Sequence, residues 1–508
     1  MSFLRKIFKL LTGRLFWIAS LILVQFFFLV YAVIWASYKQ GFYLAFTALS
    51  VIMLFVVFTR QEKPAYKMVW LFLIGIFPIF GGVLYLLMAN KKLGYFSRKK
   101  TAKFRQSLPD SSFFVENADT ALSEHAPEYH RISEYIKNVT GLSAWGNTDC
   151  HYFAYSEEFF LDVLEEIKKA EHFIFIEYFI IGEGKWWSLI LEELKKKVSE
   201  GVDVRVIYDD VGSINCLPNR YDRILMSYGI KAVVFNRARI HLNPRLNFRD
   251  HRKIFDIDGN VCYTGGLNLS DEYANDVIRF GYWKDNAVKF RGAAVWNFTY
   301  LFLEMWAVLW GGDDDLKAYV PTVSAEHDGF VQPFGDNPLD DVSTAEDVYV
   351  QMISSAKRYV WITTPYLIPD DQMIGALTIA AAAGVDVRII TPRHPDKKTI
   401  FEVSRSNYAA LIKAGVKIYE YIPGFIHAKT FIADDAAAVV GTTNIDYRSF
   451  YLHFELSVLF LYSSVVKAVK DDFEKTLLQS EEMTPEMVRA KGFQRIVRGF
   501  LRLFSPAF

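Results

Sequence analysis

His251-Arg252-Lys253-Ile254-Phe255-Asp256-Ile257-Asp258 decides how the chain is read, because it returns as His427-Ala428-Lys429-Thr430-Phe431-Ile432-Ala433-Asp434. The first copy runs on to Gly265-Gly266-Leu267-Asn268 and the second to Gly441-Thr442-Thr443-Asn444, so every matched position is displaced by 176 residues. Five residue types kept at one spacing do not coincide by composition alone. Short apolar and β-branched runs, broken by Asp258-Gly259 and Asp434-Asp435, predict two strands joined by a tight turn in each copy. Strand alternation then sets His251 beside Lys253 and His427 beside Lys429, with Asn268 and Asn444 arriving from the neighbouring strand.

These residue types suit a phosphoryl centre. A neutral imidazole attacks phosphorus or moves a proton, a lysine supplies positive charge, and an asparagine amide supplies donors to the oxygens. Two copies give two histidines, one to attack and one to protonate the leaving group. The scheme calls for no metal and no cofactor.

The paired stretches resemble the HxK(x)4D motifs of the phospholipase D superfamily. The longer strings Asn247 to Ile254, Thr364 to Asp370 and Gly441 to Phe450 resemble the bacterial cardiolipin synthases within it. The likeness runs from about residue 40 to the C-terminus. It implies a catalytic set of His251, Lys253, Asp258, His427, Lys429 and Asp434, in which the two aspartates support the fold rather than touch substrate. It implies phosphate-binding roles for Asn268 and Asn444, with Ser449 a further candidate. Glu455, 28 residues after His427, stands where the superfamily keeps an acid that orients its histidine, and Asp285 is the expected counterpart for His251.

The motif repeat broadens into a domain repeat. Phe173 to Tyr178 matches Tyr359 to Thr364, Gly201 to Ile207 matches Gly384 to Ile390, and Gly229 to Val233 matches Gly415 to Tyr419. Amphipathic helices, such as Phe159 to Ala170 and Ser188 to Glu200, lie between them. Strands alternating with helices predict an α/β class fold of two phospholipase D-like halves, 151–325 and 326–480, packed about a pseudo-twofold axis. Residues 106–150 are expected as a linker, and Asp313-Asp314-Asp315 as a solvated loop.

Charge is unevenly spread. Residues 1–105 hold 15 Lys and Arg against Glu62 alone, leaving 42 basic and 56 acidic residues for the rest. An acidic catalytic part argues against a nucleic-acid partner. Basic residues beside apolar segments suit phosphatidylglycerol and other anionic membrane lipid. Three scattered cysteines, Cys150, Cys216 and Cys262, form neither a disulfide framework nor a zinc pattern.

Leu15 to Ser37 and Gly41 to Thr59 are uncharged runs of 23 and 19 residues, each able to cross a bilayer core. Met68 to Ala89 is a third apolar run, interrupted by Pro78 and Gly81-Gly82. If it spans, the flanking basic residues divide seven against eight; if it does not, fourteen stand against Lys39 alone. The positive-inside rule therefore favours a spanning hairpin followed by a broken, non-spanning helix, with the catalytic part cytoplasmic. After Thr484-Pro485, the segment 481–508 places Phe493, Ile496, Val497, Phe500, Leu501 and Phe504 on one helix face, with Arg489, Arg495, Arg498 and Arg502 elsewhere. Such a helix either packs on the core or lies in the membrane interface.

The function expected is a cardiolipin synthase of the bacterial cell membrane. It would join two phosphatidylglycerols through a phosphatidyl-histidine and release glycerol. The rivals are a hydrolytic phospholipase D, a phosphatidylserine- or phosphatidylethanolamine-forming transferase, and a non-catalytic membrane scaffold. Association of copies into a homo-oligomer is left open.

Overall fold

The computed structural model describes residues 14–88, 100–101, 104, 118–238, 247–312, 314–340 and 342–507. Arg5, Lys6, Lys9, Ala89, Asp313, residues 106–117 of the expected linker and most of the basic run from Lys91 to Arg105 lie outside them.

Helices α1 (Arg14–Ser37) and α2 (Gln40–Thr59) are long and apolar enough to cross a membrane, and most of their surface is unburied. The third apolar run breaks at Phe77. Pro78 cannot continue the hydrogen-bond ladder of α3 (Pro64–Ile76), and α4 (Pro78–Met88) folds back on α2, with Ser50 Oγ donating to the Pro78 carbonyl. The break expected from Pro78 is present.

The expected linker is not a linker over its described part. Helices α5 (Ala118–His125) and α6 (Pro127–Thr140) bury Leu122, Ile132 and Ile136 against the second half. Each such side chain contributes about 1.5–3 kcal/mol. The apolar spacing of Tyr129, Ile132 and Ile136 is helical, and its burial overrides the polar composition.

The first half supplies β1 (Thr148–Phe153), β2 (Phe173–Tyr178), β3 (Asp203–Asp209), β4 (Lys231–Phe235), β5 (Lys253–Ile257), β6 (Val261–Gly265), β7 (Tyr282–Lys284) and β8 (Ala287–Gly292). Its sheet runs β1-β8-β6-β5-β2-β3-β4, with β2, β3 and β4 parallel. After α7 (Val295–Leu309), the second half supplies β9 (Phe330–Asp336), β10 (Tyr359–Thr363), β11 (Asp386–Pro392), β12 (Lys417–Tyr421), β13 (Gly424–Ile426), β14 (Thr430–Ala433), β15 (Ala437–Gly441), α8 (Tyr447–Tyr451), β16 (His453–Leu461), β17 (Ser480–Glu482) and α9 (Phe493–Leu503). Its sheet runs β9-β16-β15-β14-β10-β11-β12-β17. Seven strands repeat in order and orientation, and β17 is added at one edge.

The two sheets face each other across one apolar core. Phe290 of β8 stacks on Phe460 of β16 at 5.8 Å, and α7 fills the gap with Phe298, Phe302 and Trp306. The apolar α7 is thus buried inside the catalytic unit. Asp314 pairs bidentately with Arg205 at 2.8 and 2.9 Å, and Asp315 caps a 3₁₀ turn by accepting from Lys317 N. Those two acids are therefore structural, not a solvated loop.

Near the C-terminus the helix start at Pro485 lasts one turn, and α9 begins after Gly492. Arg498, expected on the polar face, is buried instead. It donates to Glu402 Oε2 at 2.9 Å and to the Val488 carbonyl at 3.1 Å. The apolar face is only partly covered: Phe504 and one edge of Phe500 pack on Phe72 of α3, while Phe493, Ile496 and the rest of Phe500 are exposed.

Candidate active site

Each histidine stands in a gap just before a strand rather than on it. Arg249-Asp250 pairs in parallel with His453-Phe454, so His251 falls level with Glu455. β13 pairs in parallel with β7, so His427 falls level with Asp285. Backbone bonds extend the match: His251 N donates to the Phe454 carbonyl at 2.9 Å, and His427 N to the Lys284 carbonyl at 2.7 Å. The strand entering each histidine is therefore clasped by the other half.

This register overturns the expected pairing of acids. His251 Nδ1 lies 2.8 Å from Glu455 Oε2, and His427 Nδ1 lies 2.7 Å from Asp285 Oδ2. Each acid orients the histidine of the opposite half. Thr442 Oγ1 also donates to Glu455, and Asn286 N donates to Asp285 Oδ1 at 3.0 Å. Gly266 makes room for this, since a Cβ there would overlap Asp285 Oδ1.

Burial dominates the electrostatics. It lowers His251 to about 3 against the pull of Glu455, helped by the Lys253 charge. It lowers His427 to about 4, helped by Lys429 and opposed by Asp285. Burial would raise both carboxyls, but the adjoining imidazoles hold Glu455 and Asp285 below the usual carboxylate range. The resulting state is an ionised acid accepting from a neutral imidazole's Nδ1–H, which leaves Nε2 with a free lone pair. Burial also lowers Lys253 to about 8 and Lys429 to about 7. The Lys253 charge acts on both His427 and Lys429, so the two motifs share one site. Each ammonium donates to the carbonyl of its own histidine, at 2.8 Å for Lys253.

The remaining expected residues divide. Asp258 accepts from the N–H groups of Glu171, His172 and Phe173, and Asp434 from those of Lys357, Arg358 and Tyr359. Both sit in left-handed turns at φ 55° and 54°, bracing the next strand and away from the histidines. Their place in the catalytic set is thus a bracing one, as the resemblance implied. Asn268 has its oxygen on Ile180 N at 3.0 Å and its amide on Tyr273 Oη at 2.8 Å. Asn444 Oδ1 is buried without a hydrogen bond. Ser449 is fully buried and its Oγ accepts from Asn444 N at 3.1 Å, so it holds the asparagine turn.

One site residue escaped the sequence reading. His453 lies two residues before Glu455, on the same strand face, and its ring centre is 5.5 Å from that of His251. The period-2 spacing to Glu455 was the available signal. His251, His453 and Glu455 bring ligand-type atoms within 4.8 Å of one another.

A family model described as "Cardiolipin synthase, PLD-like domain" matches residues 163–277 and 349–477, and one described as "Phospholipase_D-nuclease N-terminal" matches 48–89. An uncharacterized protein of Streptococcus mutans serotype c is 42% identical over 441 residues, covering 86% of this chain and 95% of the relative. Cardiolipin synthase 2 of Bacillus anthracis is 36% identical over 459 residues, covering 89% and 88%. The crystal structure of phosphatidylserine synthase from Haemophilus influenzae Rd KW20 superposes with a TM-score of 0.55 at 15% identity, covering 74% of this chain and 98% of that one, a likeness of fold.

Proposed function

The chain belongs to the cardiolipin synthase family of phospholipase D-like proteins, and from that membership we propose that it is a phosphatidyltransferase converting two phosphatidylglycerols into cardiolipin and glycerol. The observation that carries the chemistry is the crossed pair of buried imidazoles, each held at Nδ1 by an ionised carboxylate.

His251 Nε2 attacks the phosphorus of the first lipid. The bond from phosphorus to the glycerol headgroup oxygen breaks, and His427 gives that oxygen its proton. Both imidazoles are neutral at pH 7 before substrate enters, as a nucleophile requires. A phosphodiester anion entering beside His427 favours its protonated form and so supplies the acid. The phosphatidyl group now rests on His251. His427, neutral again, takes the proton from the terminal hydroxyl of the second phosphatidylglycerol, whose oxygen attacks phosphorus as the bond to His251 breaks. Lys253 and Lys429 turn from their own carbonyls to the phosphoryl oxygens, with the Asn268 and Asn444 amides as further donors.

α1 and α2 form a spanning hairpin in the bacterial cell membrane and hold the catalytic unit on the cytoplasmic side. The excess of basic residues on one side of the hairpin supports this orientation.

The test is product analysis of full-length enzyme in phosphatidylglycerol vesicles. Cardiolipin and glycerol in equal amounts, abolished by His251→Ala and by His427→Ala, is the expected result. Phosphatidic acid as the main product means that water takes the intermediate, and the synthase reading fails.

A further inference from the structure

Helix α9 presents three faces. Arg498 and Leu501 turn to the second half: the guanidinium donates to Glu402 and the Val488 carbonyl, and Leu501 packs with Tyr66, Ile368, Val403 and Tyr447. Arg495 and Arg502 lie on a second face, which is exposed. Phe493, Ile496 and Phe500, spaced three and four residues apart, form a third, and they are 78, 68 and 54% exposed. Single exposed apolar side chains are ordinary. Three along one ridge of a helix that Arg498 pins in place mark a contact surface.

The neighbours of this ridge set its level. Phe72 of α3 meets Phe504 at 5.9 Å and an edge of Phe500 at 6.2 Å. Ile74, half a turn further along α3, is buried in one cluster with Met53 and Val57 of α2. Those two stand six and two positions before the end of α2 at Thr59, about 3–9 Å inside it. The ridge is therefore one helix away from an apolar span, near its end, where headgroups meet acyl chains.

Charge points the same way. In a catalytic part that is acidic as a whole, residues 487–508 hold Arg489, Lys491, Arg495, Arg498 and Arg502 and no acid. Of these, Arg498 alone is ion-paired among the described residues, and the other four are exposed. A second copy seated on the ridge about a twofold axis would bring the same cations face to face. We propose that α9 is a second membrane attachment, with Phe493, Ile496 and Phe500 seated in an anionic leaflet and Arg489, Lys491, Arg495 and Arg502 on its lipid phosphates. The assignment rests on α1 and α2 spanning the membrane and is independent of the synthase chemistry.

The experiment puts a nitroxide on single cysteines of the full-length protein and compares its exposure to oxygen, which concentrates in acyl chains, with its exposure to a water-soluble nickel chelate. Cys150 and Cys262 are buried, so Cys216→Ser leaves the introduced cysteine as the reactive one. In vesicles containing phosphatidylglycerol, labels at Phe493→Cys, Ile496→Cys and Phe500→Cys are expected about 5–10 Å deep, and labels at Arg495→Cys and Arg502→Cys about tenfold more open to nickel. Ridge labels as open to nickel as the arginine-face labels would overturn the proposal. In vesicles of phosphatidylcholine alone, or with Arg489→Gln, Lys491→Gln, Arg495→Gln and Arg502→Gln together, the Phe493→Cys label is expected to shift towards water; an unchanged depth overturns the choice of an anionic leaflet. Spin–spin broadening among ridge labels that vanishes on dilution with unlabelled protein would seat a second copy on the ridge and overturn the lipid contact. A label at Ile52→Cys, near the middle of α2, separates the two readings, because nickel access there fails the spanning hairpin itself.

Discussion

The two halves share seven strands, one motif and one turn, yet they are not interchangeable. Among the described residues α3 packs on the second half. Lys63, at the start of that helix, reaches Asp370 at 3.1 Å, and Tyr66 packs on Tyr447 and Tyr451. The same half receives α9 through Arg498 and carries the extra strand β17. At the site the first half backs its acid with Trp283 and the second with His453. Duplication explains the shared frame, whereas the differences mark where two equal halves were given unequal tasks. One half carries α3 and α9, and the two orienting acids have different neighbours, an indole and an imidazole.

That inequality is sharpest in the acids. Glu455→Gln and Asp285→Asn should each lower turnover by about 10²–10⁴-fold, by analogy with amide replacement of the acid in a triad. A phosphatidyl ester with a nitrophenolate leaving group needs no protonation, so it separates them. Asp285→Asn should regain most of the first-step rate with that substrate, because Asp285 serves the proton donor His427, while Glu455→Gln stays slow. The reverse pattern would exchange the two histidines' roles.

The lysines give a smaller difference that depends on pH. A lysine carries its charge below its pKa, and burial brings Lys429 to about 7 and Lys253 to about 8. Attraction for a phosphodiester is therefore complete in mild acid and is lost as pH rises, first through Lys429 and then through Lys253. Steady-state kcat/KM on vesicles should fall on the order of tenfold or more between about pH 6 and about pH 9, since a hydrogen bond to a charged group contributes about 1.5–3 kcal/mol. A flat alkaline limb would remove the lysines from phosphate binding.

The smallest expected effect is one on which the halves should agree. Asp258→Ala and Asp434→Ala each strip three backbone N–H groups of their acceptor and should cost about 1–3 kcal/mol of stability. Thermal unfolding measures this, with activity per folded molecule nearly kept. Activity loss beyond the unfolded fraction would return the aspartates to the reacting centre.

The frame was legible because period-2 runs and turn residues recur at matching places in both halves. The crossing of acids was not. It depends on two pairings of two and three residues between the halves, Arg249-Asp250 with His453-Phe454 and β13 with β7, and no local pattern encodes which distant strand a short segment meets. His453 sits in one half only, so the repeat does not single it out. The polarity of residues 118–140 suggests a linker, although one apolar residue in three or four suffices to dock a helix.

The crossed clasp also bears on how the protein is made. His251 leaves the ribosome 204 residues before Glu455, an interval of about 10–40 s at ordinary bacterial elongation rates. Through that interval the first membrane helices can already be in lipid, among the very substrate the finished protein consumes, while the first imidazole has no acid to orient it. A chain that stops early, or a first half released by a protease, keeps His251, Lys253 and Asn268 but lacks the carboxylate that makes them competent. The arrangement makes completion of synthesis a condition of reactivity, so a truncated product is inert towards the bilayer that holds it.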